Sequence, residues 1–157
     1  MYSVSVATRT HESFDAAYDA APSSVGEARR KVAALATRGG ATACEVERIR
    51  LAVSEAFSNA VQHGYAAQAH GVVQVTAAVI DRVLTVVIAD DGRGMHAGES
   101  QGLGLGLGLI AAACDSFTLM TRSSGGTQVE MTFRLTAGPS QRALGAPAMR
   151  RVSCAGR

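Results

Sequence analysis

Val86-Val87-Ile88-Ala89-Asp90-Asp91-Gly92-Arg93-Gly94 is the stretch whose reading decides this chain. Its first four residues are apolar and rich in β-branching, the composition of a buried strand. The strand ends in Asp-x-Gly-x-Gly, which plants a carboxylate at its tip. Gly92 and Gly94 admit unusual backbone angles and the close approach of a flat ring. A carboxylate so placed can accept a hydrogen bond from an adenine amino group. An Asp-Gly pair alone also marks an ordinary polar turn, so the neighbouring segments decide between the two. Spacing to the glycines favours Asp90 over Asp91 as the base reader.

Upstream, Ile49, Val53, Phe57 and Ala60/Val61 recur at helical spacing over residues 42–63. Thr42 reads as the N-cap, and Gly64 sits where a left-handed residue ends a helix. Glu55 and Asn59 are four apart and share one face of that helix, beside the apolar stripe. An Asn carbonyl is one of the hard oxygens that Mg²⁺ takes alongside phosphates and water. A nearby carboxylate can orient or deprotonate an attacking hydroxyl. Alone, a Glu-Asn pair more often marks a solvated helix face.

Downstream lies Gln101-Gly102-Leu103-Gly104-Leu105-Gly106-Leu107-Gly108-Leu109-Ile110. Alternating glycines leave backbone N–H groups free to face an anion, and the helix that follows adds its positive end. No Gly-Lys-Ser/Thr follows and no strand directly precedes, which excludes a P-loop and a dinucleotide fingerprint. Leucines at every second position argue for a loop pinned to the core rather than a linker. Gly125-Gly126-Thr127 opens the last strand, where the Thr127 hydroxyl could join Asp90 at the adenine.

The remaining elements follow from composition and punctuation. Residues 72–80 and 83–89 are Val/Ile-rich and meet at Asp81-Arg82, a hairpin signal; 117–122 and 127–135 form a second hairpin. Pro22-Ser23-Ser24 offers a stop and an N-cap for a helix over 25–37 that ends at Gly39-Gly40. A glycine-rich loop is expected over 92–104 and a short helix over 105–113. Tyr2-Ser-Val-Ser-Val6 alternates like an edge strand. From residue 137 the pattern stops: the tail holds four arginines and no acid, and is expected to be disordered.

At 157 residues, 47% hydrophobic with 4% aromatics and no Trp, the chain fits one domain whose core is Ala, Val, Leu and Ile, as suits helices on a sheet. A net charge of +2 gives no argument for nucleic acid or membrane as a direct partner. Cys44, Cys114 and Cys154 have no paired spacing, so neither a disulfide nor zinc is expected, and their odd count fits a reducing cytoplasm. The N-terminus lacks a signal pattern and the apolar run 103–114 is too short for a bilayer. A cytoplasmic protein is therefore expected.

As an ordered set, these segments resemble the GHKL superfamily of ATPases and kinases, which share the Bergerat (histidine-kinase-like) ATP-binding fold. Residues 49–65, with Glu55, Asn59 and the ending His63-Gly64-Tyr65, resemble its N box. Asp90, Gly92 and Gly94 match its first glycine box, Gly104 and Gly106 the second, and Gly126-Thr127 the last. Within the superfamily the chain is similar to the anti-sigma factor serine/threonine-protein kinases of bacterial stress response and sporulation. The domain stands alone, the stretch from Asp90 to the second glycine box is short, and the N box ends in His-Gly-Tyr.

The resemblance implies an α+β two-layer sandwich, a mixed, mostly antiparallel sheet covered on one face by helices, over residues 1–136, with 137–157 as a basic tail. It implies Mg-ATP as cofactor, with Glu55 as general base, Asn59 as the Mg²⁺ ligand, Asp90 reading adenine, and Gly92 and Gly94 shaping that pocket. Gly104, Leu105 and Gly106 would hold the phosphates and Thr127 would assist at the base. The implied partners are a sigma factor, which is sequestered, and a small antagonist (anti-anti-sigma) protein, which is phosphorylated on serine; a homodimer is implied as well. Gly108 stands where many relatives have proline, and the long Gly-Leu repeat leaves Gly102/Gly104 or Gly106/Gly108 open for the phosphate role. Two other functions stay open: a switch kinase acting on a scaffold and a phosphatase activator, and a nucleotide-gated protein-binding module without kinase activity.

Overall fold

Thr42-Ala43-Cys44-Glu45 has the spacing of a capping box, and in the computed structural model, which describes residues 12–65, 70–93, 103–123 and 125–136, it is one. The Thr42 hydroxyl accepts from the Glu45 N–H, and the Glu45 carboxylate accepts from the Thr42 N–H at 2.7 Å. The helix it opens, α2 (Ala43–Asn59), buries Ile49, Ala52, Val53, Ala56 and Phe57 on one face. It does not run on to residue 63 as an α-helix. Ala60–Gly64 is a π-helical turn, an insertion associated with functional sites.

Helix α1 (Val25–Arg38) precedes it. The expected serine cap is absent: Ser24 is already helical, and a 3-10 turn over Pro22–Ser24 feeds the chain into the helix through backbone bonds. The helix does end at Gly39, and Gly40 takes the left-handed conformation at φ 94°.

The sheet has five strands: β1 (Glu12–Asp19), β2 (Val72–Ile80), β3 (Val83–Asp90), β4 (Ser116–Thr121) and β5 (Thr127–Arg134). Their order is β1-β2-β3-β5-β4, and each pairing is antiparallel. Asp81 and Arg82 both have positive φ (47° and 64°), the primed turn whose twist suits a two-residue hairpin. Strand β1 is an element that the sequence reading lacked. The expected strand at Tyr2–Val6 lies outside the described residues, as does the tail 137–157.

Alternate strand residues are buried under α1, α2 and α3 (Leu103–Ala113), giving two layers around one core. Phe57 and Phe133 are its largest fully buried side chains, and Tyr18 meets Phe57 edge-on at 5.9 Å. Among the described residues no helix is long and apolar enough to cross a membrane. Among the described residues Cys114 is a free thiol.

Candidate functional site

The end of α2, the π-turn, the tip of β3, the first turns of α3 and the start of β5 converge on one pocket. It is a cleft open to solvent. Ala56, Ala60, Ile88, Leu107, Leu119 and Val129 give it an apolar wall; Asn59, His63, Asp90 and Thr127 supply the polar groups. A mostly apolar cleft with a few placed polar groups is the usual form of a small-molecule site.

Asp90 is 2% exposed, at the last paired position of β3. Burial pushes its carboxyl above the ordinary aspartate value of 3.8; hydrogen bonds from the Gly92 and Thr127 backbone N–H groups pull the other way. The Gly92 bond is 2.9 Å, to Oδ1. Thr127 thus reaches Asp90 through its backbone N–H. Asp91 separates cleanly from its neighbour: its carboxylate is exposed and ion-paired with Arg122. The structure therefore turns Asp90 into the pocket and Asp91 out of it.

Glycines wall this carboxylate because no side chain fits. A Cβ on Gly64 would lie 2.8 Å from Asp90 Oδ1, and one on Gly92 would lie 2.2 Å from the Gly64 carbonyl oxygen. Gly64 is not left-handed. Its lack of a side chain serves close approach to Asp90, correcting the reading of it as a left-handed residue. Gly126 does have positive φ (82°), and a Cβ there would stand 2.0 Å from the Asp90 carbonyl oxygen.

Glu55 and Asn59 lie on the same face of α2, half-buried. Gly106 of α3 faces both: a Cβ on it would be 3.2 Å from Asn59 Nδ2 and 3.4 Å from Glu55 Oε2. Gly108 faces open space. Gly104 and Leu105 belong to the first turn of α3, which begins at Leu103, two residues earlier than expected. Gly104 is therefore helical, with Gly106 and Gly108, rather than part of the loop. The first four N–H groups of a helix lack intrahelical partners, so these residues still present anion-binding donors. Gly94 and Gly102 lie outside the described residues.

The nitrogen end of the Asn59 amide is buried without a hydrogen-bond partner. A half-turn of the amide exchanges its oxygen and nitrogen, so this position can offer an oxygen to a cation. Among the described residues no three His, Cys, Asp or Glu side chains cluster as a metal site. A cation bound at Asn59 would take its other ligands from phosphates and water, as Mg²⁺ commonly does. These residues fit Mg-nucleotide in that sense.

Sequence reasoning gave no role to Tyr65, Arg122 or His63. The Tyr65 hydroxyl accepts from the Asp91 N–H at 2.9 Å and donates to the Val72 carbonyl at 2.8 Å. Arg122 Nη1 donates to the Asp90 carbonyl at 3.1 Å. The ending His63-Gly64-Tyr65 was visible as part of a motif, but nothing in the sequence signalled Arg122.

A two-layer sandwich with a buried strand-tip aspartate, glycine walls and a helix N-terminus facing Asn59 defines the class: a nucleotide-binding domain. The family model for the histidine kinase-like ATPase domain matches residues 18–133, and the chain belongs to that family. Among curated proteins it is similar to "Serine-protein kinase RsbW" of Bacillus subtilis, 41% identical over 73 residues, 46% of each chain. It is also similar to "Anti-sigma F factor" of Clostridium acetobutylicum, 41% identical over 69 residues (44% of this chain, 48% of the relative). A third relative, "Anti-sigma F factor" of Shouchella clausii, is 30% identical over 121 residues, 69% of this chain and 83% of the relative. The chain spans about half the length of the Bacillus and Clostridium relatives.

Proposed function

We propose that this protein is a cytoplasmic, ATP-dependent protein-serine kinase that also acts as an anti-sigma factor, sequestering a sigma factor and phosphorylating a small antagonist protein. The observation that carries the reading is Glu55 beside Asn59, both facing Gly106 in the first turns of α3, a carboxylate where a γ-phosphate would meet a hydroxyl. The names of the relatives, a serine-protein kinase and anti-sigma F factors, support the same activity and the sigma-factor partner. A homodimer follows from the family resemblance.

In this reading Asp90 accepts the adenine amino group, Gly92 and Gly94 shape the base pocket, and Thr127 holds the Asp90 carboxylate. The backbone of Gly104, Leu105 and Gly106 holds the phosphates at the positive end of α3. Asn59 holds Mg²⁺, which neutralises phosphate charge when bound. Glu55 accepts the serine hydroxyl proton as that oxygen bonds the γ-phosphorus and the bond to the ADP oxygen breaks. Positioning and charge neutralisation do most of the work.

The test is a pull-down with Mg-ATP from lysate of the source organism, followed by mass spectrometry of bound and newly phosphorylated proteins. Recovery of a sigma factor, with phosphoserine on a small partner that vanishes with Glu55→Ala, supports the reading. ATP binding and partner capture without phosphorylation in the wild type contradict the kinase.

A further inference from the structure

Asp90 and Asp91 are joined by one peptide unit, and both of its polar ends are held. Its carbonyl accepts from Arg122 Nη1 at 3.1 Å; its N–H donates to the Tyr65 hydroxyl at 2.9 Å. The peptide lies where the sheet ends. The β2–β3 ladder stops at Val73 and Asp90, and the β3–β5 ladder stops at Ala89 and Gln128. Side chains therefore continue the hydrogen bonding where the backbone ladder runs out.

Tyr65 is built into this place. Its ring is 7% exposed, and Gly71 passes so close that a Cβ there would be 2.2 Å from the ring. Its hydroxyl proton goes to the Val72 carbonyl, which leaves the oxygen lone pairs for the Asp91 N–H. Two further contacts close the same junction: the Arg93 N–H donates to the Gly64 carbonyl at 3.2 Å, and Gly92 packs on the Gly64 backbone. The π-turn that ends α2 thus grips the loop bearing the base-reading carboxylate.

We infer that Tyr65 is a positioning residue for base selection: its hydroxyl fixes the Asp90–Asp91 peptide plane and so aims the Asp90 carboxylate into the pocket. This rests on the reading of Asp90 as the group that meets the adenine amino group. Loss of the hydroxyl frees the peptide to rotate, and the carboxylate no longer holds one direction. Selectivity for the amino group then falls more than affinity for nucleotide as a whole.

The test measures Mg-ATP and Mg-ITP affinities by calorimetry for the wild type, Tyr65→Phe, Asp90→Asn and the double variant; ITP lacks the amino group. Tyr65→Phe keeps the ring and removes one hydroxyl. Loss of one aimed hydrogen bond is worth about 1 kcal/mol, so the ATP-to-ITP preference should drop roughly fivefold. The double variant should lose no more preference than Asp90→Asn alone. A residue that only supports the fold would lower thermal stability and leave the preference untouched, and that result overturns the inference. A wild type with no preference for ATP overturns the Asp90 reading and this inference together. Should Tyr65→Phe not fold, exchange of the wild-type Asp91 amide decides: protection supports the bond to Tyr65, and exchange at the rate of an open loop overturns it.

Discussion

Asp90 and Gly126 approach so closely that a Cβ on Gly126 would stand 2.0 Å from the Asp90 carbonyl oxygen. Gly126 also has φ of 82°, a conformation that L side chains rarely adopt. Gly126→Ala therefore meets both strain and a backbone clash. The expected loss is about 2–4 kcal/mol of stability, with nucleotide affinity falling as the β5 end moves off Asp90. Denaturant unfolding and ATP titration check the two effects. Gly108→Ala is the control: its Cβ meets nothing within 4 Å, so it should unfold no earlier than the wild type.

Glu55→Ala separates binding from transfer. Glu55 is half-buried on α2, one turn before Asn59, and holds neither the base nor the Asp90 loop. Phosphorylation of the partner serine should fall by roughly 10²–10⁴-fold, the usual contribution of a general base. ATP affinity should stay within about a factor of three, since no hydrogen bond to nucleotide is removed.

Asn59→Ala removes the amide whose buried end has no protein partner. ATP affinity measured with Mg²⁺ should fall at least tenfold, roughly the worth of one good charged-group contact. Affinity measured in chelator should barely change. Equal losses in the two conditions would assign Asn59 to the nucleotide itself rather than to the cation.

Glu45 governs a pH effect far from the pocket. Burial raises its pKa, but hydrogen bonds from Thr136 and Thr42 outweigh burial and leave it below the ordinary value of 4.5. At acid pH the unfolded chain then binds more protons than the fold does. The stabilisation is fully present above pH 4.5 and is lost as pH falls through the lowered value. Glu45→Gln should cost about 1–2 kcal/mol at neutral pH, through the weakened cap and the tie to Thr136. It should also flatten the acid limb of a stability–pH profile, which thermal melts between pH 3 and 7 would show.

Much of this architecture is legible in the chain because its signals are local. The capping box at Thr42, the Asp81-Arg82 hairpin and the apolar stripe of α2 each follow from residues a few positions apart. Strand β1 escaped because Ala16 and Ala17 have weak strand propensity and Asp15 and Asp19 read as solvated charge. The early start of helix α3 was hidden because its glycines are poor helix formers in isolation; of these, Gly106 sits against Asn59 and Glu55. The π-turn has no sequence signature at all.

At the site, residue types were legible and contacts were not. Gly64 reads locally as a helix terminus, yet its reason is the Asp90 carboxylate, 26 positions on. Arg122 has no motif around it; only the pairing of β4 with β5 and of β5 with β3 brings it to the Asp90 carbonyl.

Base recognition by Asp90 is the central claim, and calorimetry of ATP and GTP against the wild type and Asp90→Asn tests it most directly. The wild type should bind Mg-ATP and prefer it to GTP, whose six-position oxygen offers a carboxylate no proton. Asp90→Asn should lose most of that preference, roughly tenfold or more for an aimed bond to a charged group. An Asp90→Asn protein that folds and keeps the wild-type ratio would contradict the account, because the base would then be read elsewhere.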